Sequence, residues 1–265
     1  MKTRVIKSIV SVLLIAVIGV FSIVSISAAT TKRYYYSFDF YTAGSLGISQ
    51  DYIYIQVHGE NGSTQWYKLT ACGFSKTFLD VPMQDTVDVG KVTGVSVKNE
   101  CIDGWYPEKI VVTAPSKEKT TIYCADWVDN GEEVRFDVDK NIFEVNIKTS
   151  SVLFSGTDAD VCAIFYDENG VATKGHNFSA IHPKSNSFEC GDDATMYISA
   201  PDNFGKVKSA RFYLDDEEAL AIEGPAWRVQ SVKVTQISGA NKDFSVYKAL
   251  NKEIDLDDSF YFDFY

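Results

Sequence analysis

The chain has 265 residues, with 25 Lys and Arg against 36 Asp and Glu, and its formal net charge at neutral pH is −11. A protein this acidic is not expected to bind nucleic acid, or to adhere to anionic lipid through charge alone, because both surfaces are negatively charged. The same composition is compatible with the binding of cations.

The N-terminal residues predict an export signal. Lys2, Arg4 and Lys7 give a positive start, and no charged residue follows from residue 8 to residue 27. This order is typical of a secretory signal peptide, with Ala29 as the expected cleavage point. We therefore assign residues 1–29 to a signal peptide and expect a secreted or cell-surface protein. The apolar stretch approaches the length that spans a bilayer, so an uncleaved anchor is the alternative.

After this segment the chain repeats itself. The strand pattern "YSFDFYT" (36–42) resembles "FEVNIKT" (143–149), and "DYIYIQVHGENG" (51–62) resembles "ADVCAIFYDENG" (159–170). Two later pairs keep the same order: "VGKVTGVSV" (89–97) with "FGKVKSARF" (204–212), and "WYPEKIVVT" (105–113) with "WRVQSVKVT" (227–235). We predict two tandem units, residues 32–140 and residues 141–265.

The pattern within each unit predicts strands. Apolar residues alternate over runs of five to eight positions, and Gly, Asn, Asp and Pro separate the runs. About eight such runs in each unit are typical of an antiparallel β-sandwich. The fold class is therefore all-β, with two tandem antiparallel eight-stranded sandwiches. Residues 215–224 are expected to form a loop insertion, and Cys162 is expected to be a buried free thiol within a strand.

The second unit resembles the PLAT domain family, also called the lipoxygenase homology domain. The resemblance lies in the turn "GTDADV" (156–161), in "FYDENG" (165–170), in "FECGDDATMYIS" (188–199), in "FGKV" (204–207) and in "WRVQSVKV" (227–234). The first unit is the degenerate copy, because "SLGISQD" (45–51) replaces "SGTDAD" (155–160). The resemblance implies two four-stranded sheets packed face to face, and attachment to membrane lipid or a protein partner.

The resemblance also implies a calcium site in the second copy only. The residues carried over are Gly156, Thr157 and Asp158, with Asp167 and Asn169 as weaker partners. A further acidic ligand would come from the loop at Asp215 and Asp216, since calcium takes six to eight oxygen ligands. The other interpretation is that these residues only satisfy backbone amides in their turns. The turns before and after strand two lie at opposite ends of a sandwich, so sequence proximity does not join them.

An apolar triplet precedes the "GTD" turn. Val152, Leu153 and Phe154 stand in what is expected to be an exposed loop, so they are candidates for contact with a membrane or a partner. The alternative is a loop folded back onto its own sandwich. Trp66 is a second surface candidate, whereas Trp105 and Trp227 occupy equivalent positions in the two units and are expected in the cores.

No catalytic motif is present. The three histidines form no H-E-x-x-H, and there is no G-x-S-x-G. We therefore predict an exported, non-enzymatic protein that attaches to membrane lipid or a protein partner, with calcium as a candidate cofactor. The alternative is an extracellular adhesion or carbohydrate-binding module with a glycan partner.

Overall fold

A computed structural model describes seven ranges of the chain: residues 31–43, 52–69, 77–100, 104–182, 188–215, 226–256 and 258–265. The predicted signal peptide at 1–29 lies outside these ranges, and so do the "SLGISQ" residues, Asp216 and nearly all of the predicted 215–224 insertion. In the part of the chain that is described, no helix has the length and apolar character needed to cross a membrane.

Seventeen strands and one short helix follow one another along the described ranges. The strands of the first half (residues 34–137) are β1 (Tyr34–Thr42), β2 (Ile53–Gly59), β3 (Gly62–Ser63), β4 (Tyr67–Leu69), β5 (Phe78–Asp85), β6 (Val92–Asn99), β7 (Pro107–Thr113), β8 (Lys119–Tyr123) and β9 (Glu133–Asp137). The elements of the second half (residues 142–263) are β10 (Ile142–Thr149), β11 (Asp160–Asp167), β12 (His176–Asn177), α1 (Phe178–Ile181), β13 (Asp193–Ser199), β14 (Val207–Asp215), β15 (Trp227–Ser238), β16 (Ser245–Ile254) and β17 (Ser259–Asp263).

The two halves share one strand order. The sheets of the first half run β5-β1-β7-β8 and β3-β2-β6-β9, with β4 also paired to β2. Those of the second half run β13-β10-β15-β16 and β12-β11-β14-β17. All pairings are antiparallel, so the predicted all-β sandwich class is confirmed. The short helix α1 was not predicted; it begins at Asn177, whose side-chain oxygen accepts the N–H of Ala180.

Each half has its own core, formed mainly by alternate residues of the strands. In β10, for example, Val145 and Ile147 are buried, while Asn146 between them is only partly covered. This period of two places one face of each sheet against the other sheet. Cys162 is a buried free thiol, as predicted, and burial, followed by the charges of Asp215 and Asp160, raises its pKa to about 12.

The equivalent tryptophans anchor the two cores in the same way. Trp105 and Trp227 are both buried, which confirms the prediction from their repeated position. The indole N–H of Trp105 donates to Thr42 Oγ1 at 3.0 Å, and that of Trp227 donates to Thr149 Oγ1 at 3.1 Å. Each threonine ends the first strand of its half, so one buried hydrogen bond ties that strand to the start of a neighbouring element.

Residues 33–265 form one compact unit, in which the halves meet along a seam. Tyr106 of the first half packs in the core cluster of the second half, and its hydroxyl donates to the Tyr197 carbonyl at 2.8 Å. The Tyr123 and Tyr197 rings lie 5.7 Å apart across the same seam. The halves are therefore held by buried side chains as well as by the short link between β9 and β10.

Candidate functional site

The apolar triplet projects into solvent. Val152, Leu153 and Phe154 follow β10 and keep 53%, 75% and 87% of their surface exposed. The Ser155 N–H donates to the Val152 carbonyl at 3.1 Å, which closes a tight turn. We call residues 152–154 the apolar tip. Exposure on this scale contradicts the alternative that the loop folds back onto its own sandwich.

The base of the apolar tip is fixed by backbone hydrogen bonds to β15 and to the loop before β13. Ser150 N–H donates to the Arg228 carbonyl at 2.9 Å, and Arg228 N–H donates to the Ser155 carbonyl at 3.0 Å. Gly191 N–H donates to Ser150 O at 2.9 Å, and the Ser155 hydroxyl also donates to that carbonyl. A rigid base presents the three apolar side chains without ordering a loop on binding, which lowers the entropic cost of docking.

Phe154 has an unusual backbone conformation. Its φ is +62°, in the left-handed region that a bulky residue rarely adopts. With 87% of its surface exposed, the ring gains little from packing that would offset this strain. Burying a side chain of this size against an apolar partner is worth about 1.5–3 kcal/mol. The local geometry therefore favours a binding role for the ring over a folding role.

The "GTD" turn follows the apolar tip and combines a tight backbone with one exposed carboxylate. A Cβ on Gly156 would lie 2.9 Å from Cys190 N, so only glycine fits there. Thr157 is buried, and its hydroxyl accepts the Ala159 N–H at 3.1 Å. Asp158 is exposed and has no hydrogen bond or ion pair among the described residues. Gly156 and Thr157 thus shape the turn, and Asp158 is the group at this point that remains available to a ligand.

Asp167 and Asn169 do not join Asp158. They stand at the far end of β11, about 23 Å along the strand from its first residue at a rise of about 3.3 Å per residue. Asp167 is buried, and it accepts N–H groups from Gly205, Val171 and Asn169 at 2.7–2.8 Å. Burial alone would raise the pKa of this carboxyl, but those N–H groups hold it below its ordinary value. Its geometry is that of a turn residue.

Two further carboxylates lie at the same end of β11 as Asp158: that of Asp215, which the sequence analysis named as a candidate ligand, and that of Asp160, which it did not. Asp160 and Asp215 are directly opposite each other in the pairing of β11 with β14. Like charges in this position repel unless a cation lies between them. The Asn177 side-chain N–H donates to Asp160 Oδ2 at 2.6 Å. Within the described ranges, no three His, Cys, Asp or Glu side chains are grouped closely enough to hold a metal.

Two further candidates lie apart from the apolar tip. Trp66 is 37% exposed and lies between β3 and β4 of the first half, so it belongs to a different surface. His182 and Asp192 form a pair at 2.7 Å, and both are buried beside the Phe188 ring. A substrate in solution does not reach that pair, whose place in the core is consistent with a structural role.

The second half of the chain matches a known domain family. Residues 143–263 match the PLAT/LH2 domain family. Lipoxygenase homology domain-containing protein 1 from Mus musculus is 25% identical over 230 residues, covering 77% of this chain and 10% of that protein. Its Homo sapiens counterpart is 26% identical over 171 residues, covering 57% of this chain and 8% of that protein.

Among solved structures, coral 8R-lipoxygenase has a TM-score of 0.37 at 19% identity, over 46% of this chain and 16% of that one. That enzyme is described as activated by calcium through a C2-like domain. The chain spans a tenth or less of the curated relatives' length. Residues 143–263 are thus similar to the PLAT/LH2 domain, and a larger share of the chain is similar to lipoxygenase homology domain-containing proteins.

Proposed function

We propose that this is an exported, non-enzymatic binding protein that docks on a lipid membrane through the apolar tip. The observation that carries the proposal is the exposure of Leu153 and Phe154, at 75% and 87%, on a turn whose base is hydrogen-bonded to β15. A protruding apolar turn can insert into the hydrocarbon region of a membrane, because lipid can bury the turn without a preformed groove. A protein partner with an apolar pocket is the other outcome of the tests.

Similarity to the PLAT/LH2 domain supports binding of lipid or protein in general. The strand order of the first half, which repeats that of the second, supports its assignment as a second, degenerate copy. The match to the Mus musculus protein supports this assignment too, because that match covers 77% of the chain and therefore extends beyond residues 143–263. The positively charged, then apolar, N-terminal segment supports export and a secreted or cell-surface location.

We include calcium as an assisting ion in the second half only. Exposed carboxylates of Asp158, Asp160 and Asp215 lie at the end of β11 that follows the apolar tip, and they would repel anionic headgroups. A calcium ion at Asp158 would take further oxygen ligands from water and lipid phosphate, because the described carboxylates are not grouped closely enough to hold it by themselves. Carboxylate oxygen is a ligand that calcium prefers, and in this proposal Asp158 is the exposed ligand while Thr157 and Gly156 shape the turn.

The docking proposal is tested by co-sedimentation with vesicles of phosphatidylcholine and phosphatidylserine, with calcium and with chelator. Leu153→Asp and Phe154→Asp should each reduce binding by about tenfold or more, because a charge is costly in an apolar medium. Leu79→Asp is the matched control, since Leu79 is 59% exposed in the first half. Vesicle binding that is equally strong in all three variants contradicts docking through the apolar tip.

The calcium proposal has a separate readout. Calcium should raise the melting temperature of the full chain by mass action, and Asp158→Asn should remove the rise. A chain whose melting temperature does not respond to millimolar calcium has no such site. If instead the protein is retained on insoluble polysaccharide, and Trp66→Ala but not Phe154→Asp releases it, the glycan-binding alternative replaces membrane docking.

A further inference from the structure

A cavity of about 350 Å³ lies at the seam between the two halves, and no part of the proposed docking uses it. We call it the seam cavity. Its polar lining comes from both halves and from the link between them: Asp126, Arg135, Lys140, Lys174, Ser199 and Asp202. Small-molecule sites have volumes from about 300 Å³ upward and are often found where domains meet.

The charge of the seam cavity is opposite to that of the protein. Three cationic side chains, Arg135, Lys140 and Lys174, line it together with two carboxylates, in a chain whose net charge is −11. Cations gathered in a cleft attract an anion more strongly than the same side chains spread over a convex surface. The lining therefore favours an anionic ligand despite the acidity of the whole chain.

Two of the three cations, Lys140 and Arg135, pair with carboxylates that are open to solvent. Lys140 pairs with Asp202 at 3.3 Å, but the Asp202 side chain is 81% exposed. Arg135 pairs with Asp137, and both partners of that pair are also open to solvent. Exposed pairs of this kind contribute little to stability. An entering oxyanion can replace them at little cost.

One polar group of the cavity lining, and one buried side chain near that lining, have unused hydrogen-bonding capacity. Among the described residues, the Ser199 hydroxyl reaches Asp126 alone, at the long distance of 3.4 Å. Behind the lining, His176 is buried, and its Nε2 has no hydrogen-bond partner among the described residues. His176 lies close enough to Lys174 and Asp126 for both charges to act on it. The polar network at the seam is thus incomplete as it stands.

We propose that the seam cavity binds a tetrahedral oxyanion group, phosphate or sulfate, carried by a small soluble molecule. Arg135 offers a planar guanidinium that donates two hydrogen bonds to one oxyanion, and the two lysines supply point charges. Ser199 donates a further hydrogen bond from the second half. Because the ligand contacts residues of both halves and of their link, its binding also clamps the seam.

The position of the seam cavity favours a soluble source over a lipid headgroup. Ile142, the first residue of β10, lines the cavity, and the apolar tip follows Thr149, the last residue of the same strand. At a rise of about 3.3 Å per residue the two ends of β10 are about 23 Å apart. A membrane that contacts the tip therefore does not present its headgroups to the cavity.

The test is calorimetric titration of the full chain with inorganic phosphate and inorganic sulfate. Lys140→Gln and Lys174→Gln should each weaken binding of at least one anion by about tenfold, whereas Lys208→Gln, an exposed lysine of β14 outside the cavity, should leave it unchanged. Lys174 also pairs with Asp126 across the seam, so Lys140→Gln is the variant less prone to disturb folding. Melting curves should show that the anion raises the melting temperature of the wild type more than that of Lys140→Gln.

Absence of saturable binding of both anions to the wild type overturns the proposal. Equal affinity in wild type and both cavity variants overturns it as well, because binding then occurs elsewhere. A further experiment with vesicles distinguishes a soluble ligand from a lipid headgroup. In the presence of chelator, the Phe154→Asp variant should not bind phosphatidic acid vesicles. If Phe154→Asp does bind these vesicles, and the double variant with Lys140→Gln does not, then the oxyanion is a lipid headgroup. That result would contradict a small soluble molecule as the source of the oxyanion.

Discussion

At the scale of single residues, the feature that needs a functional explanation is the side chain of Phe154. It combines a φ of +62° with 87% exposure, two properties that selection for stability alone would not retain. The neighbouring Leu153 is nearly as exposed, so the two side chains form a continuous apolar surface on one turn. Function at an interface is the simplest physical reason for keeping them.

Replacing Phe154 by glycine separates stability from binding. Phe154→Gly removes the strain of the left-handed conformation, about 1 kcal/mol, and adds backbone entropy to the unfolded chain. We expect the free energy of unfolding in urea to change by less than about 1 kcal/mol while vesicle binding falls. A loss of several kcal/mol would instead show that the Phe154 ring packs against the protein.

The two core tryptophans could be predicted from the sequence, but their hydrogen-bond partners could not. Repetition predicted that Trp105 and Trp227 are core residues, and both are buried. Their partners, Thr42 and Thr149, were not predicted. In both halves the strand register shifts at that threonine, and this irregularity accompanies its hydrogen bond to the indole. Register shifts of this kind depend on tertiary packing and have no signature in alternation alone.

At the scale of elements, strand β11 separates two turns that look alike in sequence. The turn before it carries Asp158 next to the apolar tip, and the turn after it carries Asp167 and Asn169. The sequence predicts both turns and the strand between them. It does not show that the chain brings Asp215 opposite Asp160, because cross-strand pairing depends on the order of strands in the sheet.

The Asp167 turn predicts a defined effect of pH and mutation. Asp167→Asn should lower the free energy of unfolding at neutral pH by about 1–3 kcal/mol, because an amide cannot accept all three N–H groups. In the wild type, the ionised Asp167 carboxylate stabilises the folded state at pH values above its ordinary pKa of 3.8. This stabilisation is lost as the pH falls below that value, since the pKa of Asp167 is lower in the folded state than in the unfolded state. Urea unfolding at several pH values should show a smaller acid loss in the variant. Glu168→Gln, in the same turn but exposed, is the control, and an equal effect of both changes would contradict this role.

At the scale of the whole molecule, two sandwiches of one strand order share a seam. The repeat pattern predicted two similar β-sandwich units, because alternation and turn residues are local properties of sequence, but it did not predict the order of strands in the sheets. The contacts across the seam were not predicted, since Tyr106 meets Tyr197 through packing of distant strands. The polar groups of the seam cavity come from six separate elements and connecting segments, so no motif marks them in the sequence.

Buried His176 predicts how the free energy of unfolding depends on pH. Burial, followed by the charge of Lys174, lowers the pKa of His176 to about 4, and Asp126 offsets part of this shift. The unfolded state, with an ordinary pKa of 6.5, therefore binds the proton first, and stability falls as pH falls from about 6.5 to about 4. His176→Gln should remove up to about 3 kcal/mol of that loss, measured by urea unfolding across this window. Parallel curves for variant and wild type would show that other groups cause the loss.

The central claim, that the apolar tip enters an apolar medium on docking, is tested most directly by a fluorophore placed there. Phe154→Trp adds an exposed indole to a chain whose Trp105 and Trp227 are already buried. With calcium and phosphatidylserine-containing vesicles, the emission of the added indole should shift to shorter wavelength, and chelator should reverse the shift. A tryptophan introduced at Tyr247, which is 61% exposed on β16, should not respond. If the protein binds vesicles but the emission of the indole at residue 154 stays at the wavelength of a solvent-exposed tryptophan, the proposed docking is contradicted.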